Sequence, residues 1–553
     1  MRTKILFIFF LTCFLLIIVK LFYLQVISPK KNFSNLYLKS EKLLPERGKI
    51  YDHFLTPLAL NQNSYLLYLE PKKIDDQLKL VKFLSEKLEM EEASLEAKID
   101  LSKEWIAIKA GIEEDKKNEI EKLNIKGVGF EKQIKRFYPE ASLSAHILGF
   151  VGKNEAGDDV GYFGIEGFYN QDLAGLPGLF ASERDLFGKP IFIGIQNRYQ
   201  PENGRDLVLT IDKTVQEIAK RNLLNGMERY QAKQGCAIIA DPKTMAIISL
   251  VCLPDYDLDK YYQFNESYFR NPAVSDLYEP GSIFKPLIMA AALEEKKIKP
   301  DEIMDEAGPV KIGEYEIKTW NNKYEGKISM TRILEKSSNV GMVYVGEKLG
   351  KNKLYQYLQK YGVSEETGID LQGEVSGYLK PKNLWYPIDY ATATFGQGIA
   401  LTPIQMIRAF SSIVNGGNLL RPYLVEKIIS KKGEIKIKPK VERRVISERT
   451  SAIIRKMLVS TVENAEVKWD RPKNIKIGGK TGTAQVAIQG HYDPSLTNAS
   501  FIGFAPADDP KFIILVTYKE PRTSTWGSET AAPTFFEIVK ELIVYYGIGI
   551  TEE

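Results

Sequence analysis

Cysteine and histidine are scarce. The 553 residues hold three of each. Three cysteines are too few for a disulfide scaffold, and no spacing of Cys and His matches a metal site. Cys13 lies inside an apolar run. Cys236 and Cys252 fall near the ends of an apparent hairpin, GCAIIADPKTMAIISLVC, with Asp241-Pro242 at its turn. They can lie near each other, and the expectation for them is buried free thiols. His53, His146 and His491 are scattered, which gives no support to a Ser-His-Asp triad. Nor does one sign of charge dominate. Lys and Arg total 75 against 71 Asp and Glu, a formal charge of +4, so there is no electrostatic footprint for nucleic acid. A basic cluster such as KKGEIKIKPK, 431–440, reads as a solvated hairpin. Internal repeats and long low-complexity tracts are absent.

One long apolar run is present. ILFIFFLTCFLLIIVKLFYLQVI, residues 5–27, carries a single charge, Lys20, near its far end. Crossing a bilayer takes about 20 residues. Lys20 can snorkel to the interface, and Phe22 and Tyr23 suit an aromatic belt. A cleaved signal has a shorter apolar core of about 7–15 residues and a small-x-small site. Residues 1–27 are therefore expected to be a cytoplasmic tip and an uncleaved anchor. Arg2 and Lys4 on one flank are balanced by Lys30 and Lys31 on the other, so charge alone leaves the orientation open.

Beyond the run, residues 28–43 read as an exposed membrane-proximal stalk. RGKIYDHFLTPLAL and SYLLYLEP read as short strands, and DDQLKLVKFLSEKLEMEEASLEAKI as a charged helical segment. A further short helix is expected around 113–123. Glycines 149, 152, 157, 161, 164 and 167 punctuate a loop-rich stretch that ends near NRYQPENGRD. The strand LVLTID, 207–212, follows. The main boundary is placed near 205, which separates a region at 28–205 from one large α/β or α+β unit at 206–553.

Chemistry concentrates in three stretches of that unit. The first is EPGSIFKP, Glu279 to Pro286, ahead of the apolar LIMAAAL. Ser282 suits a helix N-cap. It also sits three residues before Lys285, and residues i and i+3 are helical neighbours. A lysine in the first turn of a buried helix loses water, which favours its neutral amine and makes it a candidate base for a serine nucleophile. Ser-x-x-Lys is weak alone: about two or three chance matches are expected in a chain of this size. SPKK, Ser28–Lys31, is one such match, with no buried helix behind it. The second stretch is EKSSNVGM, 335–342. Ser337 and Asn339 fall at a helix–helix corner, where they either cap the second helix or point into a cleft. The third is IGGKTGTAQVAI, 477–488. Lys480 begins a strand-like run and suits an anionic group, and Gly482 lets another backbone approach. A peptide laid along an edge strand would fit there; an ordinary hairpin with a solvated lysine is the alternative. Ideal alternation puts Lys480 and Thr483 on opposite faces, so one site for both needs a twist near Gly482 or the Thr483 backbone N–H.

SIFK, SSN and KTG, in this order and at these separations, resemble the penicillin-binding proteins and serine β-lactamases. PERGKIYD (45–52), RFYPEASLSAHILGFVG (136–152) and GIEGFYNQDLAGLPG (164–178) resemble the pedestal of class B penicillin-binding proteins. LVLTID, YEPGSIFKP, FGQGIALTPIQ (395–405) and SFIGFAPADDPKFIILV (500–516) resemble their transpeptidase half. SFIGFAPAD and AAPTFFEIVKEL look more like the division-specific, FtsI-like branch than the elongation branch. A long C-terminal extension with sensor repeats and a leading glycosyltransferase domain are not expected. Two departures stand out. His53-Phe54-Leu55 replaces the Arg-Asn-Gly that often follows RGxIxD in the family, and WGSETAAP lacks the usual double glycine before AAP.

The resemblance implies a multi-domain α/β (α+β) chain. It would comprise a single N-terminal transmembrane helix (1–27), a stalk and mixed α/β dimerisation-like pedestal (28–205), and a serine β-lactamase-like transpeptidase domain (206–553) with an antiparallel sheet flanked by helices. It implies D,D-transpeptidation of peptidoglycan stem peptides ending in D-Ala-D-Ala. Lys285 deprotonates Ser282, Ser337 relays a proton, and Asn339 orients the stem amide and Lys285. Lys480, Thr481 and Thr483 receive the terminal carboxylate, with Gly482 between them, and the backbone N–H groups of Ser282 and Thr483 hold the oxyanion. No metal or organic cofactor is implied. β-Lactams, a SEDS-type glycan polymerase, small divisome proteins and the membrane are the implied partners, and nucleic acid is not. The catalytic part would lie outside the cytoplasmic membrane, at the division septum. The rivals are an elongation-type transpeptidase, a β-lactamase or antibiotic sensor of the same fold, and a non-catalytic scaffold that recruits a polymerase.

Overall fold

The structure is a computed structural model that describes residues 2–23, 38–183, 196–488 and 491–549. It divides into two units, Met1–Arg47 with Ala174–Gly204, and Gly48–Leu173 with Arg205–Glu553.

In the first unit, Arg2–Phe22 is one helix of mean hydropathy 3.0, long and apolar enough to cross a membrane. Lys20 lies over the Tyr23 ring. Residues 24–27 of the expected anchor, and SPKK, lie outside the described residues. So does the expected stalk up to residue 37. Its last part is a strand: Leu38–Leu43 pairs antiparallel with Gly178–Glu183, which pairs in turn with Gln196–Tyr199. The partner lies some 140 residues downstream, so nothing local in LKSEKL announces it.

In the second unit, RGKIYDHFLTPLAL gives one short strand, Ile50–Tyr51, and its end runs on through SYLLYLEP as a single 13-residue strand, Pro57–Leu69. Its polar middle, Asn61–Ser64, stays extended because it pairs in register with Gln133–Arg136 of the strand Val128–Phe137. The helical segment over 75–99 is two helices, Gln77–Leu88 and Glu92–Lys98, interrupted where Glu89 turns left-handed (φ 54°). Leu84, Leu88 and Leu95 bury against Leu67 and Ile108. The turn at His53-Phe54-Leu55 is made without glycine. Buried Asp52 accepts the N–H groups of Phe54 and Thr56, and Leu55 takes φ 64°.

The C-terminal part begins with α1 (Lys213–Tyr230), capped by Asp212, followed by the hairpin of β1 (Gln234–Ala240) and β2 (Ile247–Leu253). A one-turn 3-10 segment, Gly281–Phe284, leads into α2 (Lys285–Glu294). Then come β3 (Ile303–Glu306), α3 (Met330–Glu335), α4 (Asn339–Leu349), α5 (Pro403–Val414) and α6 (Glu448–Glu463). Last are β4 (Gly478–Ile488), β5 (His491–Ala505), β6 (Phe512–Lys519) and α7 (Ala531–Tyr545). The sheet is antiparallel, in the order β2-β1-β6-β5-β4, so β4 is an edge strand. Strand alternation divides its side chains. Ala237, Ile239, Phe501 and Ile514 pack under α1 and α7, while Ile238, Leu250, Ile502 and Leu515 face the core that contains α2 and α5.

Cys236 and Cys252 are not free thiols. They are directly opposed in the β1–β2 register, on one face of the sheet with Cα atoms 4.1 Å apart, and they form a disulfide. Composition alone could not supply that register. The basic segment at 431–440 contains the exposed strand Gly433–Lys436, hairpinned onto Val425–Ser430.

Candidate active site

Ser282 sits inside the 3-10 turn and is not a cap: no side chain caps either that turn or α2. Two glycines let neighbouring chain segments close on this turn. Gly281 N–H donates to Gly396 O at 3.1 Å, and a Cβ on Gly396 (φ 80°) would stand 2.3 Å from Gly281 O. On the other side, a Cβ on Gly482 would meet Ile283 Cγ2 at 2.9 Å and Pro280 O at 3.2 Å. The backbone that Gly482 admits is therefore the serine turn itself, which lies against the edge strand β4.

Lys285 begins α2 and is fully buried. Its Nζ donates to Ser337 O at 2.5 Å, Asn339 Oδ1 at 2.8 Å and Ser337 Oγ at 3.2 Å. The corner between α3 and α4 explains why these groups are available. Ser338 is the cap, accepting the Gly341 N–H at 2.9 Å, so capping uses the middle residue of SSN and leaves its neighbours to the cleft. Ser337 takes φ 56°, and Asn339 Nδ2 donates to Lys318 O. From β4, Lys480 Nζ reaches the same Ser337 Oγ at 2.9 Å and also bonds Thr481 O at 3.1 Å. One hydroxyl thus links two amines. Among the described residues neither lysine has a carboxylate within ion-pair distance. Burial pulls Lys480 down to about 7. Burial, and then the positive charge of Lys480, hold Lys285 well below the ordinary lysine range, while Glu306 pulls it back up.

A cavity of about 250 Å³ opens onto these groups. Ser282, Ser337, Asn339, Lys480, Thr481 and Thr483 line it. Lys480 and Thr483 meet there despite the strand alternation, because the long lysine stem carries its amine to Ser337 and Thr481. Lys285 lies behind the wall, and Gly482 faces the serine turn. Sequence reasoning missed Trp320 and Trp526, whose rings stand edge to face 5.2 Å apart in the cavity wall. Their only signal was an apolar ring in polar loops, KTWNN and STWGSE. The second of these loops manages with one glycine: Gly527 N–H donates to Thr483 Oγ1 at 3.0 Å, and a Cβ there would stand 2.2 Å from Gly482 O. His53 pairs with Glu426, and His146 is buried against Tyr268 O; neither lines the cavity.

Residues 235–540 match the family described as the penicillin binding protein transpeptidase domain, and residues 42–209 match the penicillin-binding protein dimerisation domain. The chain is a class B penicillin-binding protein. Stage V sporulation protein D of Bacillus subtilis is 35% identical across 99% of this chain and 86% of its own length. The probable peptidoglycan D,D-transpeptidase PenA of Neisseria meningitidis is 29% identical across 96% of this chain and 90% of its own. Among solved structures, penicillin binding protein 2X of Streptococcus thermophilus superposes with a TM-score of 0.76 at 25% identity, covering 93% of this chain and 83% of that one. A peptidoglycan synthetase from Bifidobacterium adolescentis does so at 0.74 and 26%, covering 93% and 98%. The two-domain fold of this penicillin-binding protein, with its mixed α/β elements, is thus the one the SIFK, SSN and KTG stretches pointed to.

Proposed function

We propose that this penicillin-binding protein cross-links peptidoglycan stem peptides as a membrane-anchored D,D-transpeptidase. The observation that carries the reading is the chain of contacts Lys285–Ser337–Lys480, of which Ser337 and Lys480 line one cavity with Ser282. Neutral Lys285 takes the Ser282 proton, and Ser282 Oγ bonds to the carbonyl carbon between the two D-alanines. The oxyanion is held by the N–H groups of Ser282 and Thr483. The C–N bond then breaks, and the terminal D-alanine leaves as an amine that receives a proton through Ser337. An amine of a neighbouring stem attacks the ester, the new amide forms, and Ser282 recovers its proton. Lys480, Thr481 and Thr483 hold the terminal carboxylate, and Asn339 orients the stem amide. β-Lactams acylate Ser282 because they imitate the D-Ala-D-Ala amide. Mass spectrometry of the penicillin-labelled protein tests the scheme: the adduct is expected on the peptide containing Ser282, and an adduct elsewhere would end it.

The helix Arg2–Phe22 supports a single-pass anchor, and the Cys236–Cys252 disulfide supports a catalytic half on the oxidising, outer side of the membrane. On this reading 28–205 is the stalk and pedestal, the pedestal from about 44 setting the height of the site and meeting a SEDS-type polymerase and divisome proteins, and 206–553 is the transpeptidase domain. The process is septal wall synthesis. Depletion then yields filaments, whereas rounded cells would point to elongation. The sporulation relative favours a second reading, a role in sporulation, for which depletion leaves growth normal and impairs spores. A penicilloyl-enzyme that turns over in seconds would make the protein a β-lactamase, and full complementation by Ser282→Ala would make it a scaffold.

A further inference from the structure

A carboxylate lies beneath the site that none of the motifs includes. Glu306 ends β3 and is 3% exposed. It accepts the Ser338 hydroxyl in a short bond and the Glu325 N–H at 3.3 Å. Ser338 is the residue that caps α4, and the residues on either side of it, Ser337 and Asn339, are the ones that hold Lys285. The side chain therefore touches neither cavity nor nucleophile, yet it grips the corner that positions both partners of the base.

Charge makes the choice of residue informative. A neutral amide could accept the Ser338 hydroxyl equally well, and burying a carboxylate is costly unless a charge answers it. Two buried lysines stand nearby. The charged groups acting on Lys285 are Lys480 from β4, which disfavours its proton, and Glu306 from β3, which favours it. The partners on the α3–α4 corner, Ser337 and Asn339, are neutral. The cavity carboxylates are engaged elsewhere: Glu335 with Arg332, Ser460 and Asn464, Glu466 with Lys336, and Glu529 with Ser524.

We infer that Glu306 is a positioning residue for acylation: it holds the Ser338 hydroxyl, and through it the Ser337–Asn339 corner, and it supplies the negative charge that Lys285 meets from β3. The inference rests on Lys285 being the base for Ser282. Without the Glu306 charge, Lys285 loses its proton at lower pH but is a weaker base when neutral.

The test is the rate at which fluorescent penicillin acylates the full-length protein, followed from acid to alkaline pH. For Glu306→Gln the acid limb is expected to move down by about one pH unit. Its alkaline plateau is expected to fall about tenfold. Glu306→Asp keeps the charge and loosens the grip, so its plateau falls while its limb stays at the wild-type position. A rate lowered equally at every pH in Glu306→Gln would reduce Glu306 to a structural residue and overturn the inference. If Glu306→Gln does not fold, Glu306→Asp still decides, since a limb that moves in that variant also overturns it. A wild-type profile without an acid limb, or normal labelling of Lys285→Ala, would instead remove the underlying role of Lys285.

Discussion

Lys285 and Lys480 share one hydroxyl, Ser337 Oγ, inside a protein wall, and this decides what each can do. Water would keep both protonated at neutral pH. Burial removes that support from both, and the charge of Lys480 raises the cost of protonating Lys285. In the proposed scheme acylation needs Lys285 neutral, so the rate falls as pH drops through its depressed pKa. The midpoint of that acid limb is expected well below the ordinary lysine value of about 10.4, and a profile still rising there would contradict the assignment. Lys285→Ala should lower penicillin labelling about a thousandfold while the melting temperature shows a folded chain. At this scale much was legible in the sequence. Ser282, Lys285, Ser337, Asn339 and Lys480 stand in three short stretches, and the first-turn position of Lys285 already implied desolvation. Glu306 was not legible, because its meaning comes from Ser338, 32 residues away in sequence.

Elements hold these residues by close backbone approach. The serine turn is gripped by Gly396 on one side and the edge strand β4 on the other. Gly396→Ala would place a Cβ 2.3 Å from Gly281 O at a positive φ. It is expected to slow acylation more than tenfold with a smaller effect on thermal stability, as read by labelling kinetics beside a melt. In the pedestal segment, Arg136 on the strand Val128–Phe137 meets Glu166 on the helix Gly164–Phe168 at 2.7 Å, both nearly inaccessible. Arg136→Met breaks this buried pair, and about 3–5 kcal/mol of stability should be lost in a urea melt. Helices were the easier elements to foresee, since their apolar spacing is local. The strands were harder. Pro57–Leu69 carries a polar middle that only its neighbour keeps extended, and Leu38–Leu43 finds its partner after a long excursion of the chain.

For the whole molecule, the disulfide is the clearest case of register overriding composition. Cys236 and Cys252 are 16 residues apart in sequence and face each other across adjacent strands. Replacing both by alanine should cost about 3 kcal/mol, seen as a lower urea midpoint. If reductant lowers the midpoint of the double variant as much as that of the wild type, the bond is not the cause. The amino-acid sequence by itself determined the apolar N-terminal helix, the class of the molecule, and the three motifs that carry Ser282, Lys285 and Lys480. Those depend on side-chain type and on spacing within a turn. Folding in three dimensions decided which hydroxyl the two amines share, that Ser338 rather than its neighbours caps α4, that two cysteines meet, that a glutamate holds Ser338 from behind, and that two tryptophans enter the cavity wall. Each of these depends on strands and helices brought together from distant parts of the chain, where burial and backbone register, not local preference, set the energy.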